Sequence, residues 1–221
     1  MTAVLSPGAR KLKIWALNGC ALFELENLVK QGKLWWRSSN YTLYQDMMRR
    51  VTHIIEEIWP EMEIYSIDEL FCDVHMFDRF SLELMAIELR ERTLQHTGIP
   101  VCIGIAPTKT LAEAANRTAK KNFKETGVFV MSSEERRRFA LGKLPVEDVW
   151  GIGPAKATAL IRSGYSTALG FADIKNAEAI QEKFTITGLR TWYELNSKAI
   201  KMEYDQPDKK GIIQTRNFKL K

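Results

Sequence analysis

The sequence predicts an α+β fold, on three observations. Over the first two thirds of its 221 residues, strand-like apolar runs alternate with amphipathic helical stretches. After about residue 132 the strand signals stop and short helical segments take over. Near residue 150 two of those segments are joined by a Gly-Ile-Gly turn. The expected organisation is an unassigned segment at 1–22, a sheet-and-helix domain at 23–131, a small helical domain at 132–200, and a linker at 201–221 that enters a further strand.

Residues 1–22 show no clear period. A short helix is expected over 23–33, where Leu25, Leu28 and Val29 share a face and Gly32 stops it. Leu34, Trp35 and Trp36 read as strand. Ser38, Ser39 and Asn40 offer N-caps for a helix over 41–59, in which Tyr44, Met47, Met48, Val51, Ile54, Ile55 and Ile58 recur at helical spacing before Pro60. The run 63–74 reads as a strand that turns near Asp68. A helix over 80–97 ends at Gly98. Residues 101–105 form a short β-branched run typical of a buried strand, 108–122 a helix with Lys109, Arg117, Lys120 and Lys121 at polar positions, and 127–131 a strand. Ser132 and Ser133 followed by Glu134 and Glu135 start the next helix.

The net charge of +5 and the pI near 9.0 permit a nucleic-acid partner without requiring one. Cys20, Cys72 and Cys102 are widely spaced, which argues against a disulfide framework or a zinc site and for a reducing, cytoplasmic setting. No apolar run reaches the roughly 20 residues of a membrane span. Arg10, Lys11 and Lys13 precede an apolar run, but Asn18 and Gly19 interrupt it and Glu24 and Glu26 follow, so no secretory signal is expected.

Two motifs carry chemistry. In the first, Asp68 and Glu69 lie side by side inside the apolar run 63–73. Buried carboxylates need a partner or a metal, and Mg²⁺ takes carboxylate oxygens while leaving positions for water and phosphate. In the second, Gly151 and Gly153 permit a tight turn, Pro154 suits the first turn of a following helix, and the small residues Ala155, Ala157 and Ala159 allow close packing. A helix N-terminus exposed there would hold a phosphate. The arrangement resembles a helix-hairpin-helix, a binder of the DNA backbone; the plainer reading is a turn between packed helices.

The order of these motifs is specific: Tyr65-Ser66-Ile67-Asp68-Glu69, then 104–112 ending in Ala119-Lys120-Lys121, then Val149-Trp150-Gly151-Ile152-Gly153. Ser38-Ser39-Asn40-Tyr41 with Leu43, Tyr44, Asp46 and Met47 adds to it. Together they resemble the Y-family translesion DNA polymerases, UmuC-like subgroup, from about Phe23 onward. The resemblance implies a partial polymerase palm at 23–131 and a helical thumb with a helix-hairpin-helix at 132–200. It implies that Asp68 and Glu69 are catalytic and metal residues binding Mg²⁺, that Lys120 contacts the incoming triphosphate (alone it would read as a solvated helix lysine), and that Gly151, Gly153 and Lys156 hold DNA. It also implies primer-template DNA and a dNTP as substrates, an SOS-response role, and a UmuD-like subunit and recombinase filament as partners. Lys109 is expected at the surface or near DNA.

The chain departs from that pattern at its start. The family takes a third metal-binding carboxylate from a first palm strand, yet residues 1–22 hold no acidic residue and the first aspartate is Asp46. The first strand and most of the fingers are therefore expected to be missing, with an unpaired strand edge left behind and catalysis impaired. Two other readings stand beside a polymerase fragment: a non-enzymatic module that holds duplex backbone through the hairpin, and a different phosphoryl-transfer enzyme using Asp68, Glu69 and Asp73.

Overall fold

The computed structural model describes residues 2–7, 25–35, 39–78 and 80–199. The expected linker at 201–221, the start of the first helix and the apolar run at 14–23 lie outside them. The fold is α+β. A five-stranded sheet has the order β2-β3-β1-β4-β5, with β1 Thr2–Pro7, β2 Met62–Ile64, β3 Leu70–Asp73, β4 Val101–Ala106 and β5 Val128–Val130. All pairings are antiparallel except β4 with β5. That parallel pair needs a crossover, which α4 (Lys109–Asn122) supplies.

The central strand is the main difference from expectation. Thr2–Pro7, within the segment left unassigned, lies between β3 and β4, with Val4 opposite both Phe71 and Gly104. The expected open edge is thus filled, and β2 and β5 form the sheet's edges. The two flanking strands present facing ladders whose backbone groups need partners; an extended segment satisfies both. The strand contains no carboxylate.

Helices α1 (Glu26–Lys30), α2 (Tyr41–Glu56) and α3 (Leu82–Thr97) follow the sequence pattern, although α2 ends three residues before Trp59. Asn40 caps α2 by accepting from the Leu43 amide at 3.1 Å. Gly98 ends α3 in the left-handed region. Trp35 lies in no strand and is exposed, unlike the strand expected at 34–36.

Strand alternation sends Leu70 and Cys72 to one face of the sheet and Phe71 to the other. Leu70 and Cys72 join Val51, Ile55, Trp59 and Leu89 of the α2–α3 layer. Phe71 joins Leu111, Ala115 and Phe129 in a second core, which continues into Leu141, Val146, Leu160, Phe171 and Leu195. Those residues belong to a helical layer: α5 (Glu134–Lys143), a 3₁₀ turn at Val146–Asp148, α6 (Pro154–Arg162), α7 (Ala168–Ala172) and α8 (Ala177–Leu195). Apolar packing therefore crosses the boundary read at residue 132. Buried Glu194 of α8 reinforces it by accepting from the Thr110 amide at 3.0 Å and the Thr110 hydroxyl at 2.5 Å, which satisfies donors at the start of α4. No helix among the described residues is long and apolar enough to cross a membrane.

Helix α8 kinks at Thr185, whose backbone sits at φ 65°, ψ −179°. That region is essentially reserved for glycine and costs other residues about 1–3 kcal/mol. Glycine also loses about 0.5–1 kcal/mol through its freer unfolded state. Thr185→Gly is therefore expected to stabilise the fold by about 1 kcal/mol, raising Tm by roughly 2–4 °C. A lower Tm in a thermal melt would contradict the strain.

Candidate functional site

The acid pair sits at the tip of the β2–β3 hairpin. The amides of Tyr65 and Ser66 both donate to the Glu69 carbonyl, at 3.1 and 3.0 Å, which closes the turn. The Ser66 hydroxyl donates to Asp68 Oδ1 at 2.8 Å and accepts from the Asp68 amide at 3.3 Å. The strand thus turns where the sequence requires, and both acids leave the sheet on one loop. They are not buried as the apolar run suggested: Asp68 is exposed and Glu69 half-buried, so solvent bears most of their charge. Asp68 also borders an apolar cavity of about 440 Å³ walled by Leu43, Met47, Val51, Ile67 and Val101.

Helix α4 brings the other charges to this tip. It lies flat on β4 because its inner positions are alanines and Gly104 has no side chain: a Cβ there would stand 2.1 Å from the Asn116 amide nitrogen and 2.4 Å from the Ala112 carbonyl oxygen. Asn116 fixes the register by donating to the Cys102 carbonyl at 2.7 Å. Lys120, half-buried, is thereby set near Glu69 and Glu113; burial lowers its pKa, against the pull of Cys102, Glu113 and Glu69. The structure thus sets Lys120 within electrostatic reach of Glu69, the neighbour of Asp68, and adds Glu113, which the sequence reading passed over. Glu113 is only 8% exposed. Burial first, and then the Glu69 charge, push its carboxyl up to about 7 against Lys120 and Arg117, with Asp68 raising it further.

Asp73 stands apart. Three strand steps of about 3.3 Å each separate it from Leu70, and it accepts from the His75 amide at 3.0 Å and lies 2.8 Å from the His75 ring. Partial burial pushes its carboxyl up, but the His75 contacts outweigh that and hold it below the usual range. Lys109 is not at the surface: it is buried, pairs with Glu63 at 2.5 Å and lies 5.4 Å from the centre of the Phe71 ring.

The glycine turn packs directly against the acid hairpin. The Trp150 ring meets Tyr65 at 5.4 Å and Phe71 at 5.7 Å between centroids, both edge-on. Arg117 and Lys121 of α4 pair with Asp148 at 3.0 and 3.8 Å. Gly151 adopts φ 87°, and a Cβ on it would approach the Thr191 hydroxyl to 2.7 Å. Gly153 does not share that positive φ; it is extended at φ −81°, ψ 171° and exposed, with nothing within 4 Å of where its Cβ would be. The first turn of α6 is open to solvent beside it. Lys156 is half-buried and donates to the Thr187 hydroxyl at 2.6 Å.

The donors at the tip fit magnesium in kind, being hard carboxylate oxygens of the number that Mg²⁺ uses when water and phosphate fill its remaining positions. Among the described residues no three or more His, Cys, Asp or Glu side chains cluster closely enough to hold a metal ion by themselves.

The impB/mucB/samB family model matches residues 3–117. Protein ImpB of Salmonella typhimurium is 36% identical over 217 residues, covering 96% of this chain and 50% of the relative. Protein UmuC of Salmonella typhimurium is 40% identical over 184 residues, covering 82% of this chain and 43% of the relative. The chain thus spans about half the length of these curated relatives. Among solved structures it is similar to the insertion ternary complex of Dbh DNA polymerase, with a TM-score of 0.69 at 16% identity, covering 94% of this chain and 69% of that one. The matched residues carry four of the five strands, the acid hairpin and more than half of α4, and the chain belongs to the impB/mucB/samB family.

Proposed function

We propose that this chain is the palm and thumb portion of an error-prone translesion DNA polymerase of the Y family, acting on primer-template DNA and a dNTP in damage-induced repair. The observation that carries the reading is the placing of Asp68 and Glu69 together on one hairpin tip, packed through Trp150 against an exposed glycine turn, with Lys120 of α4 within electrostatic reach of Glu69. Polymerisation needs those parts together: carboxylates for a divalent ion, a cation for the triphosphate and a grip on the duplex. Magnesium, when bound, would activate the primer hydroxyl and neutralise charge on the triphosphate and leaving pyrophosphate. Asp68 and Glu69 would hold it. Lys120 would bind phosphate oxygens at the mouth of the tip, where its partial burial strengthens the attraction.

The first turn of α6 would accept a DNA phosphate on its free amides, with Gly153 leaving room for close approach and Lys156 nearby to reach the backbone. Because β1 brings no carboxylate to the tip, turnover is expected to be low. A cytoplasmic setting, a UmuD-like subunit and a recombinase filament complete the proposal. The setting rests on the widely spaced cysteines, and the two partners rest on the kinship with UmuC alone.

The second reading, a duplex-backbone binder without catalysis, is favoured by the same lack of a β1 carboxylate. Both readings require the hairpin to hold DNA. Gly153→Val tests this cleanly, since an extended backbone and open space admit the side chain without disturbing the fold. Fluorescence anisotropy with a primer-template duplex is expected to show salt-dependent binding, weakened about tenfold by Gly153→Val with Tm unchanged. Binding indifferent to salt and to this substitution would remove the hairpin from the account.

A further inference from the structure

Asp68 is an exposed side chain at a hairpin tip, where a carboxylate ordinarily turns freely among its rotamers. Here it is held. The Ser66 hydroxyl donates to Oδ1 at 2.8 Å and accepts from the Asp68 amide at 3.3 Å, so one serine oxygen grips both the side chain and the backbone of the same residue. Among the described residues no other side chain hydrogen-bonds to Asp68, and Oδ2 accepts nothing. The serine stands on a fixed stretch of chain. Tyr65 before it packs edge-on against Phe71 and Trp150, at 5.8 and 5.4 Å between centroids, and Ile67 after it walls the apolar cavity. Nor does the hydroxyl close the turn, because the Tyr65 and Ser66 amides do that on the Glu69 carbonyl without any side chain. The hydroxyl's work is therefore on Asp68.

We propose that Ser66 is a positioning residue whose hydroxyl fixes the Asp68 carboxylate so that Oδ2 is presented to a hard divalent cation of the Mg²⁺ and Mn²⁺ class. The assignment rests on the reading of Asp68 and Glu69 as cation ligands. Ser66 touches neither cation nor substrate; it acts through Asp68. Its effect is to remove rotamer freedom before the cation arrives, so that less is lost on binding. Partners that orient a metal-binding carboxylate in this way are typically worth about 10- to 100-fold in affinity. A single hydroxyl on an exposed acid belongs at the lower end of that range.

Mn²⁺ binding to the full chain, followed by electron paramagnetic resonance with Mg²⁺ as competitor, tests this. The wild type is expected to bind, and Asp68→Asn should abolish binding. Ser66→Ala should weaken it about tenfold, with Tm and affinity for a primer-template duplex in metal-free buffer both unchanged. Ser66→Thr, which keeps the hydroxyl, should restore the wild-type affinity. Wild-type affinity in Ser66→Ala, with binding still lost in Asp68→Asn, would overturn the role of Ser66 and leave the acid pair standing. Weaker binding in Ser66→Ala accompanied by a lower Tm would mark a serine that merely supports the turn, and would also overturn it. So would a Ser66→Thr protein as weak as Ser66→Ala, since the hydroxyl would then not be the cause. Failure of the wild type to bind Mn²⁺ would remove both the positioning role and the metal reading of the pair.

Discussion

Gly104→Ala is expected to destabilise the protein by about 3 kcal/mol or more, beyond the usual range for one added methyl group. Most small-to-large changes are softened by side chains that move aside. Here the added carbon would collide with the backbone: the Asn116 nitrogen at 2.1 Å, the Ala112 oxygen at 2.4 Å and the Ala115 carbonyl carbon at 2.7 Å. Relief requires the whole of α4 to lift from β4. That movement would break the Asn116–Cys102 hydrogen bond and shift Lys120 and Glu113 away from the hairpin tip. Thermal unfolding should fall by roughly 6–12 °C, and any DNA-dependent activity should fall further than stability alone explains. A Tm within a degree of wild type would show that α4 is not seated as described.

Glu63→Ala is expected to cost about 3–5 kcal/mol, because it strands the Lys109 ammonium in the interior. Both side chains are nearly enclosed, at 10% and 14% exposure, and the pair is held at 2.5 Å under the Phe71 ring. The pair itself need not be stabilising; hydrophobic replacements of similar volume commonly do as well or better. The double substitution Glu63→Leu with Lys109→Met should therefore recover most of the loss. Denaturant unfolding of the two singles and the double gives the coupling directly. Additive losses in the double variant would mean that the two charges are not partners.

Much of this was legible from the chain alone. The period of 41–58 and 108–122, the β-branched run before Gly104, and the caps at Asn40 and Ser133 are local signals, and local structure follows them. The motif order placed the acid pair on a turn and Lys120 on a helix, and the fold sets Lys120 within electrostatic reach of Glu69. What escaped the sequence is tertiary. Thr2–Pro7 has no alternating pattern; it becomes a strand because β3 and β4, more than 60 residues away, both pair with it. Glu113 looks like any polar residue on a helix, and only the packing of α4 buries it. Lys109 is read as exposed for the same reason, until Glu63 on β2 claims it. The kink at Thr185 has no signal in helix propensity, since threonine there is locally unfavourable in either state.

Single-nucleotide addition to a labelled primer-template, with Mg²⁺ and one dNTP, tests the central claim most directly. The account predicts slow but measurable extension that requires the metal and falls at least ~100-fold in Asp68→Ala, with duplex binding retained. Extension that persists unchanged in Asp68→Ala, or a wild-type protein that holds the duplex yet never extends it, would contradict it.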